Sequence, residues 1–552
     1  MRRTFVLALA ALALLGVVTP DAFAQAPAAP GAPTPTFKIT GFIDEIMTFS
    51  RNVSNFDGDL RHRTDEQWYG RTRGRFDFIG EYGKAKAVLG IEIDMAYGQT
   101  GSNDSTIVNA GAAATTAVTA AVGTNGGFDL NTDSRGIIEV KWLYTEFEAP
   151  LIPVPTVVRL GAQPFGSAAN YKLAVYANGD FPGVNIVSTV TPNVKVVATY
   201  VAVEEKLVGL SAANGPCAIS PCGVNAAQLR GDDWAAILAP EITPVKGLDI
   251  KPMYSYFTAS GTTSGSARQG RGGINTSTAF TNADGTWRKG INEDRHTVGI
   301  DARFRSGPFS LDPTILYQFG NRSVMANGLP AAFADAGVVS GSKSTANIDA
   351  WLLDVRAGYQ LGPLLLEAMA LYTTGNKARN TTLGTVRYFQ PLDTDTSYGA
   401  DFGPQLTALG VDYNNALLEA GLNIAYPGVA IGYDKYGRAQ VGARATYALT
   451  PALSMYGGLV VQWTAQPIQR FATPTPGAGL TPVFNGQSGG TRSYVGTEPF
   501  VGVTWRFAPG IAWDSAGGYM FAGSALDAVS NPSGPRDARD AYILTTRVRF
   551  SF

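Results

Sequence analysis

Residue types that carry out acid–base, nucleophilic or metal chemistry are scarce in this chain of 552 residues, which contains two histidines and two cysteines. His62 lies among charged neighbours, and His296 directly follows Arg295. Neither histidine belongs to a recognisable catalytic motif, in which a base stands within reach of a nucleophile and an orienting group. We therefore predict that the chain is not an enzyme and needs no cofactor. A hydrolase that uses one of the two histidines is the less favoured alternative.

The two cysteines and a short acidic segment are the candidates for covalent or metal-binding sites. Cys217 and Cys222 flank the sequence Ala-Ile-Ser-Pro, and in an oxidising compartment we predict a local disulfide rather than a metal or redox site. Asn55, Asp57 and Asp59 place oxygen ligands at alternate positions, as calcium loops do. No glutamate follows at the distance that an EF-hand loop requires, so a solvated turn is favoured over calcium binding.

Arg71, Arg73 and Arg75 alternate along the chain, and in a strand they project from one face. Phe76 and Phe78 fall on the opposite face, so the arginines are expected to point toward water. If the strand belongs to the wall of a water-filled pore, such a row of guanidinium groups attracts anions and orients dipolar solutes. The alternative is a solvated wall whose charge is neutralised by acidic residues nearby, namely Asp77, Glu92 and Asp94.

The elements that must position these residues are indicated by a period-two pattern. In the segment 542–552, apolar residues from Tyr542 to Phe552 alternate with Thr545, Arg547, Arg549 and other residues. One face is suited to lipid and the other to water. Such segments are about twice the ~5–6 residues of a soluble sandwich strand and match the ~9–11 needed to cross a bilayer on a tilt. The pattern predicts an all-β fold, a transmembrane antiparallel β-barrel.

Short turns alternate with long polar connections, which is the asymmetry of outer-membrane barrels with short periplasmic turns and long extracellular loops. The segments 376–436 and 464–492 are the longest in the second half of the chain, and they could occlude a pore or bind neighbours. We predict about 18 strands, with 16 as the alternative. The predicted strands are 37–51, 68–82, 84–99, 136–149, 155–164, 184–190, 194–205, 230–240, 247–259, 294–306, 308–321, 347–361, 363–375, 437–449, 450–463, 493–508, 509–523 and 540–552.

Composition and the first residues indicate an exported membrane protein. Residues 1–24 combine a basic start, an apolar run and a small-residue cleavage site, as a secretory signal peptide does. Residues 25–36 form an Ala/Pro-rich tail, and 37–552 is the predicted barrel. Charged residues make up 16% of the chain, below the roughly 25% of soluble domains. The net charge of −1 gives no reason to expect nucleic acid as a partner.

Two motifs resemble general bacterial outer-membrane porins of the 16- or 18-stranded type. The run from Phe37 to Asp44 is similar to the first strand of that family, and the run from Val158 to Phe165 is similar to the strand before its constricting third loop. Ala162 stands where the family often has a second arginine. The resemblance implies a water-filled channel in the bacterial outer membrane for passive diffusion of small hydrophilic solutes and ions. It also implies a homotrimer that contacts the lipid bilayer and lipopolysaccharide.

The resemblance further implies that the segment 164–183 folds inward and narrows the lumen. This segment carries Lys172, Tyr176 and Asp180, which suit a polar, aromatic and weakly charged constriction; an ordinary surface loop is the alternative. On the predicted inner faces, basic residues outnumber acidic ones, so a mild anion preference is expected. The basic residues added to the arginine row are Arg159, Lys195, Lys251, Arg303, Arg356, Arg444, Arg506, Arg547 and Arg549, against Asp44, Asp301, Asp354, Glu367 and Asp514.

Two further classes of barrel compete with a diffusion channel. An energised transporter has about 22 strands and a plugged lumen, whereas the first predicted strand here begins only a short way past the signal cleavage site. A structural or surface-interaction barrel uses its long loops to bind neighbours, and the segments 376–436 and 464–492 are long enough for that role.

Overall fold

In a computed structural model of the chain, one antiparallel β-sheet closes on itself as a barrel. The sheet contains 21 hydrogen-bonded segments. Two of these are two-residue bridges, and two others are halves of one interrupted strand, which leaves 18 strands. The structure describes residues 33–52, 66–97, 127–128, 137–165, 176–177, 180–204, 233–261, 280–281, 287–288, 291–325, 343–377, 385–392, 436–468, 492–525 and 539–552.

The strands follow one another around the barrel in chain order, each antiparallel to the next. They are β1 (Thr36–Arg51), β2 (Glu66–Tyr82), β3 (Ala85–Tyr97), β4 (Ile137–Glu148), β5 (Thr156–Pro164), β6 (Asp180–Thr191), β7 (Val194–Glu204), β8 (Asp233–Leu238 and Glu241–Val245), β9 (Leu248–Gly261), β10 (Ile291–Ser306), β11 (Phe309–Met325), β12 (Lys343–Leu361), β13 (Leu364–Thr373), β14 (Arg438–Thr450), β15 (Leu453–Ile468), β16 (Arg492–Ala508), β17 (Ile511–Ala522) and β18 (Ala541–Ser551).

The barrel closes where the first strand meets the last. β1 pairs with β18 from Phe42 opposite Ser551 to Arg51 opposite Tyr542. The backbones of Gly41 and Phe552 extend this pairing with reciprocal N–H···O hydrogen bonds of 3.0 and 3.1 Å. Every strand of the barrel therefore has a hydrogen-bonded neighbour on both sides. The predicted antiparallel barrel of about 18 strands is confirmed.

The two faces of each strand carry the alternation that the sequence indicates. In β18, Leu544, Val548 and Phe550 are 41–55% exposed on the outer face. Thr545 on the inner face is buried, and Arg547 beside it is paired with Asp514 of β17. An apolar exterior and a polar interior suit a cylinder surrounded by lipid. No helix among the described residues is long and apolar enough to cross a membrane.

The connections divide the barrel into a turn end and a loop end. At the turn end, seven of the eight connections contain two residues, and the eighth is 149–155. Gly83 and Gly307 adopt φ angles of 59° and 54° in two of these turns, a conformation that favours glycine. At the loop end, the shortest connection is 52–65 and the longest is 374–437. Under the asymmetry of outer-membrane barrels, the turn end is the periplasmic end.

Two strands differ in extent from the sequence prediction. β6 begins at Asp180 rather than at 184, so the last four residues of the segment 164–183 belong to the wall. The predicted strand 230–240 continues to Val245 after an interruption at Ala239 and Pro240, because proline lacks the N–H that a ladder needs. The pairing with β7 resumes on either side, with Ala239 N donating to Val197 O at 2.8 Å.

The outer face carries aromatic side chains near both ends of the strands. At the loop end, a series of ring contacts crosses β7 to β12, with centroid separations from 4.3 to 6.0 Å. Aromatic rings favour the boundary between lipid and water. The series consists of Tyr200, Trp234, Tyr256, His296, Phe319, Tyr317 and Trp351.

Candidate functional site

The arginine row of β2 lies on the inner face of the barrel. Arg73 is opposite Asp44 of β1, and Arg71 is opposite Ile46, which is buried inside. Arg71 is itself buried at 1% exposure. The side chains of Arg73 and Arg75 retain 16% and 23% of their exposure, so these two guanidinium groups line the lumen.

Glu92 on β3 is the carboxylate nearest to this row. The Nε of Arg75 donates to Oε2 of Glu92 at 2.8 Å, and Arg73 lies 3.9 Å from Oε1. The guanidinium of Arg75 also stands over the rings of Phe42 and Trp142, at 5.5 and 5.4 Å from their centroids. Stacking and pairing fix the group against the wall. The row therefore presents positive charge that nearby carboxylates, among them Glu92 and Asp77, partly offset.

Arg159 repeats this arrangement on the inner face of β5. Its Nε and Nη2 donate to Oε2 of Glu146 at 2.8 and 2.6 Å, and its guanidinium stands 4.6 Å from the Tyr144 ring centroid. Lys86 joins the same carboxylate through Oε1 at 2.6 Å. Two basic residues thus share one acid at this point of the wall.

The inward segment predicted for 164–183 is described in part. Tyr176 is 1% exposed and its hydroxyl donates to Ser255 Oγ on the inner face of β9 at 2.8 Å. Asp180, the first residue of β6, pairs with Lys141 at 3.1 Å. The structure therefore brings Tyr176 into the barrel and leaves Asp180 at the wall. Lys172 lies outside the described residues.

The remaining sequence candidates also lie outside the described residues, so they stay predictions: the disulfide of Cys217 with Cys222, and the calcium alternative at Asn55, Asp57 and Asp59. Within the described part of the chain, no group of three or more His, Cys, Asp or Glu residues could hold a metal ion.

Charged pairs between neighbouring strands continue around the inner wall toward the turn end. Two of their acids, Glu241 and Asp249, and also Glu146 described above, were not counted among the inner charges predicted from the sequence. In the structure each of these acids lies opposite a basic residue of the neighbouring strand, which places it on the inner face. These acids offset the positive excess. The pairs are Lys251–Glu241, Arg303–Asp249, Arg305–Asp312, Arg444–Glu367, Arg547–Asp514 and Arg549–Asp44.

A second inward segment, residues 385–392, was not singled out from the sequence; we term it the inner strap. It belongs to the longest connection, 374–437. It begins beside the part of β12 that extends past the end of β13, where Val386 forms a parallel bridge with Ile348. From there its residues cross the inner faces of β12 and β11. Gln390 N donates to Gln318 Oε1 at 2.9 Å, and Gln318 Nε2 donates back to Gln390 O at 2.7 Å.

A buried ionic cluster holds the side chains of the inner strap. Arg322 of β11 donates through Nε to Glu293 Oε2 at 2.7 Å, through Nη2 to Gln390 Oε1 at 2.5 Å and through Nη1 to the Tyr388 hydroxyl at 3.3 Å. Glu293 is fully buried and also lies 3.3 Å from Arg295. Buried charges are stable only when paired and hydrogen-bonded. Docking of the strap supplies part of that pairing.

The two inward segments meet inside the barrel. Leu392 N at the end of the inner strap donates to Tyr176 O at 2.7 Å. Both residues belong to one buried apolar cluster that includes inner-face residues of β9, β11 and β12, such as Phe257, Leu316 and Leu352. A signal for the strap exists in the sequence, because Val386, Tyr388 and Phe389 form an aromatic-rich stretch in a polar connection; their docking surface does not show in the local pattern.

His296 lies on the outer face and not in the lumen. Its ring stacks on Phe319 at 4.9 Å, and its Nδ1 is 2.9 Å from the hydroxyl of Tyr254. Its contacts therefore place this histidine within the outer ring series.

These features define a class: a closed 18-stranded transmembrane β-barrel with a charged inner wall and, among the described residues, two segments that fold inward. Solved structures similar in fold include OccK5 (OpdH) of Pseudomonas aeruginosa, at 10% identity over 94% of this chain and 98% of that chain, with a TM-score of 0.43. The outer membrane protein OpdK of Pseudomonas aeruginosa is 8% identical over 94% of this chain and 99% of that chain, with a TM-score of 0.45. OccAB1 of Acinetobacter baumannii is 12% identical over 94% of this chain and 96% of that chain, also with a TM-score of 0.45. No protein-family model and no curated protein matches the chain.

Proposed function

We propose that this chain is an outer-membrane channel through which small hydrophilic solutes and ions diffuse passively. The observation that carries the proposal is the contrast between the two faces of the closed sheet. Charged side chains such as Arg75, Arg303 and Arg549 keep between 23% and 33% of their exposure on the inner face. Charges on the inner face that keep this much exposure are in contact with water, which a lipid-embedded cylinder holds in its lumen.

The path for solutes lies on one side of the lumen. The inner strap and Tyr176 cover the inner faces of β9 to β12, where Thr297, Gln318 and Asp354 are fully buried. Side chains on β2 and β5 remain partly exposed, as Arg75 and Arg159 do. An eccentric pore along the β1–β5 wall follows, with Arg73, Arg75 and Arg159 as its lining.

We further propose a mild anion preference. At this wall Arg73, Arg75 and Lys141 all lie within 4 Å of Glu92, and Lys141 also pairs with Asp180 at 3.1 Å, so three basic residues share two carboxylates. Pairing with Glu92 and with the acids around the turn end keeps the preference weak. A solute with separated positive and negative groups finds partners for both.

The test is conductance of the purified protein in planar bilayers, together with swelling of proteoliposomes in neutral sugars. We expect steady ohmic conductance, sugar entry that falls with sugar size, and a reversal potential in a KCl gradient displaced toward that of chloride. Absence of both conductance and swelling for a correctly folded barrel would refute the channel. A reversal potential displaced toward potassium would refute only the anion preference.

One observation favours a second candidate, a surface-interaction barrel. Apolar inner-face residues such as Leu316, Ala350 and Leu352 are fully buried, so much of the loop half of the lumen is packed. A barrel packed across its whole section would act through its outer loops. The conductance measurement separates the two candidates.

We also propose that the barrel forms a homotrimer and contacts lipopolysaccharide, as the porin resemblance implies. Glu45 of β1 supports a protein contact on the outer surface. It lies on the outer face, midway along β1 between Gly41, which is opposite Phe76 near the turn end, and Phe49 near the loop end. Its carboxylate accepts hydrogen bonds from Thr72 at 2.7 Å and from Tyr97. Carboxylates facing lipid are unfavourable. Native mass spectrometry in detergent tests the trimer, and a strictly monomeric mass contradicts it.

A further inference from the structure

We propose that the inner strap, residues 385–392, is a second constriction element and that Gln318 and Arg322 hold it in the narrowing position. The inference rests on the proposed channel function and adds a structural determinant of its size limit. Only one inward connection, 164–183, was expected from the sequence, whereas the structure has two segments that meet through Leu392 and Tyr176.

The strap is fixed by the wall and does not merely fill space. Gln318 mimics a strand neighbour, since its side-chain amide both donates to and accepts from the backbone of Gln390. Its Nε2 also donates to Thr297 Oγ1 at 3.1 Å, which orients the amide. Arg322 then binds two successive inward side chains of the strap, Tyr388 and Gln390. The wall thus recognises both backbone and side chains of this segment.

The attachment is polar in its middle, at Gln390, and apolar toward its ends, where Val386 and Leu392 are buried. Three hydrogen bonds join Gln390 to the wall, one weaker bond joins Tyr388, and a two-residue bridge joins Thr385 and Val386 to β12. A released strap exposes Gln318, Arg322 and Glu293, which water can solvate, together with apolar inner-face residues such as Leu316 and Ile348. Release therefore leaves the barrel ladders intact and widens the lumen on the β10–β12 side.

The test compares a released strap with a covalently locked one in the same barrel. The wall variant Gln318→Ala with Arg322→Gln removes the anchors and leaves the strap sequence unchanged. Ile348→Cys with Val386→Cys supplies the lock, because paired residues on adjacent strands lie about 4.8 Å apart and a disulfide accepts Cα separations of about 4.4–6.8 Å. Both native side chains are buried in one cluster, so they point to the same side.

We expect the wall variant to occupy a higher conductance level about ten times more of the time than the wild type, a population change equivalent to about 1.4 kcal/mol. It should also admit larger sugars in the swelling assay. In the wall variant that carries the cysteine pair, oxidation restores the wild-type level and reductant returns the high level. Ser323→Ala, on the outer face of β11, is the matched control for the wall variant. The wild type with reductant controls for Cys217 and Cys222.

Equal conductance and sugar cut-off in the wild type and the released variant would overturn the proposal. So would a locked variant that stays at the high level, since the strap would then not be the element that narrows the pore. Resistance of the barrel to unfolding in detergent until heated checks that each variant is folded. Failure of the wild type itself to conduct is a different outcome, which removes the channel function together with this role of the strap.

Discussion

The Arg75–Glu92 pair allows a charge test whose size follows from elementary electrostatics. An ion that passes about 8 Å from a unit charge in water gains about 0.5 kcal/mol. Screening with a Debye length of about 8 Å at physiological salt reduces this to about 0.2 kcal/mol. The effect has opposite sign for anion and cation, so one charge changes the permeability ratio of chloride to potassium by about twofold. With a Debye length of about 30 Å at 0.01 M salt, the same change is about fourfold.

We therefore expect Arg75→Gln to lower the chloride-to-potassium permeability ratio by about twofold at physiological salt and by about fourfold at 0.01 M. Glu92→Gln should raise the ratio by similar factors, and the double variant should return close to the wild type. Arg75→Lys keeps the charge but not the two-donor pairing with Glu92, so it should preserve the ratio. The assay is the reversal potential across a planar bilayer at two ionic strengths.

The reasoning fails if Arg75→Gln leaves the ratio unchanged at both salt concentrations, because the pore would then not pass along this wall. It also fails if the lysine variant loses the preference as fully as the glutamine variant. In that case the stacking of the guanidinium on Phe42 and Trp142, and not its charge, would control permeation.

Three other outcomes are expected. Deletion of Phe552 removes the reciprocal backbone hydrogen bonds to Gly41 and the ring contact with Phe76, and should lower the free energy of unfolding by about 2–3 kcal/mol in detergent titrations with urea; an unchanged midpoint speaks against this closure. Gly437→Ala places a Cβ 2.4 Å from Thr374 O at a φ of 68°, and should cost about 2 kcal/mol in the same titration, whereas Gly80→Ala, with open space at its Cβ, should cost less than half as much. For Cys217 and Cys222, intact-mass measurement after alkylation should show no added label until reductant is present; labelling without reductant contradicts the disulfide.

The barrel could be predicted from the sequence because its information is local. The alternation of apolar and polar residues within a strand shows which residues face lipid and which face the interior, as in the segment from Tyr542 to Phe552. Residues such as Gly83 and Gly307 mark the turns between strands. The second half of β8, Glu241–Val245, was not predicted, because Pro240 by itself is a turn signal. In the structure the flanking residues still pair with β7, and that pairing depends on a partner strand.

The inner strap could not be predicted because its partners are distant in the chain. Gln318 and Gln390 are 72 residues apart, and the pattern around either one is satisfied without the other. The inner charge balance was misjudged for a related reason. Glu241 and Asp249 lie beside short turns, where parity is hard to read, and their inward direction becomes evident only through Lys251 and Arg303.

Adjacent residues of β11 connect the inner strap to the membrane boundary. Gln318 holds the strap on the inside, and Phe319 belongs to the ring series on the outside. The inner strap consequently stands level with this ring series, and the proposed constriction falls at the height of the outer-leaflet headgroups. An applied voltage drops mainly across the section of highest electrical resistance. With the constriction that we propose, a charged solute arriving from the medium meets most of the electric field before it reaches the depth of the lipid tails.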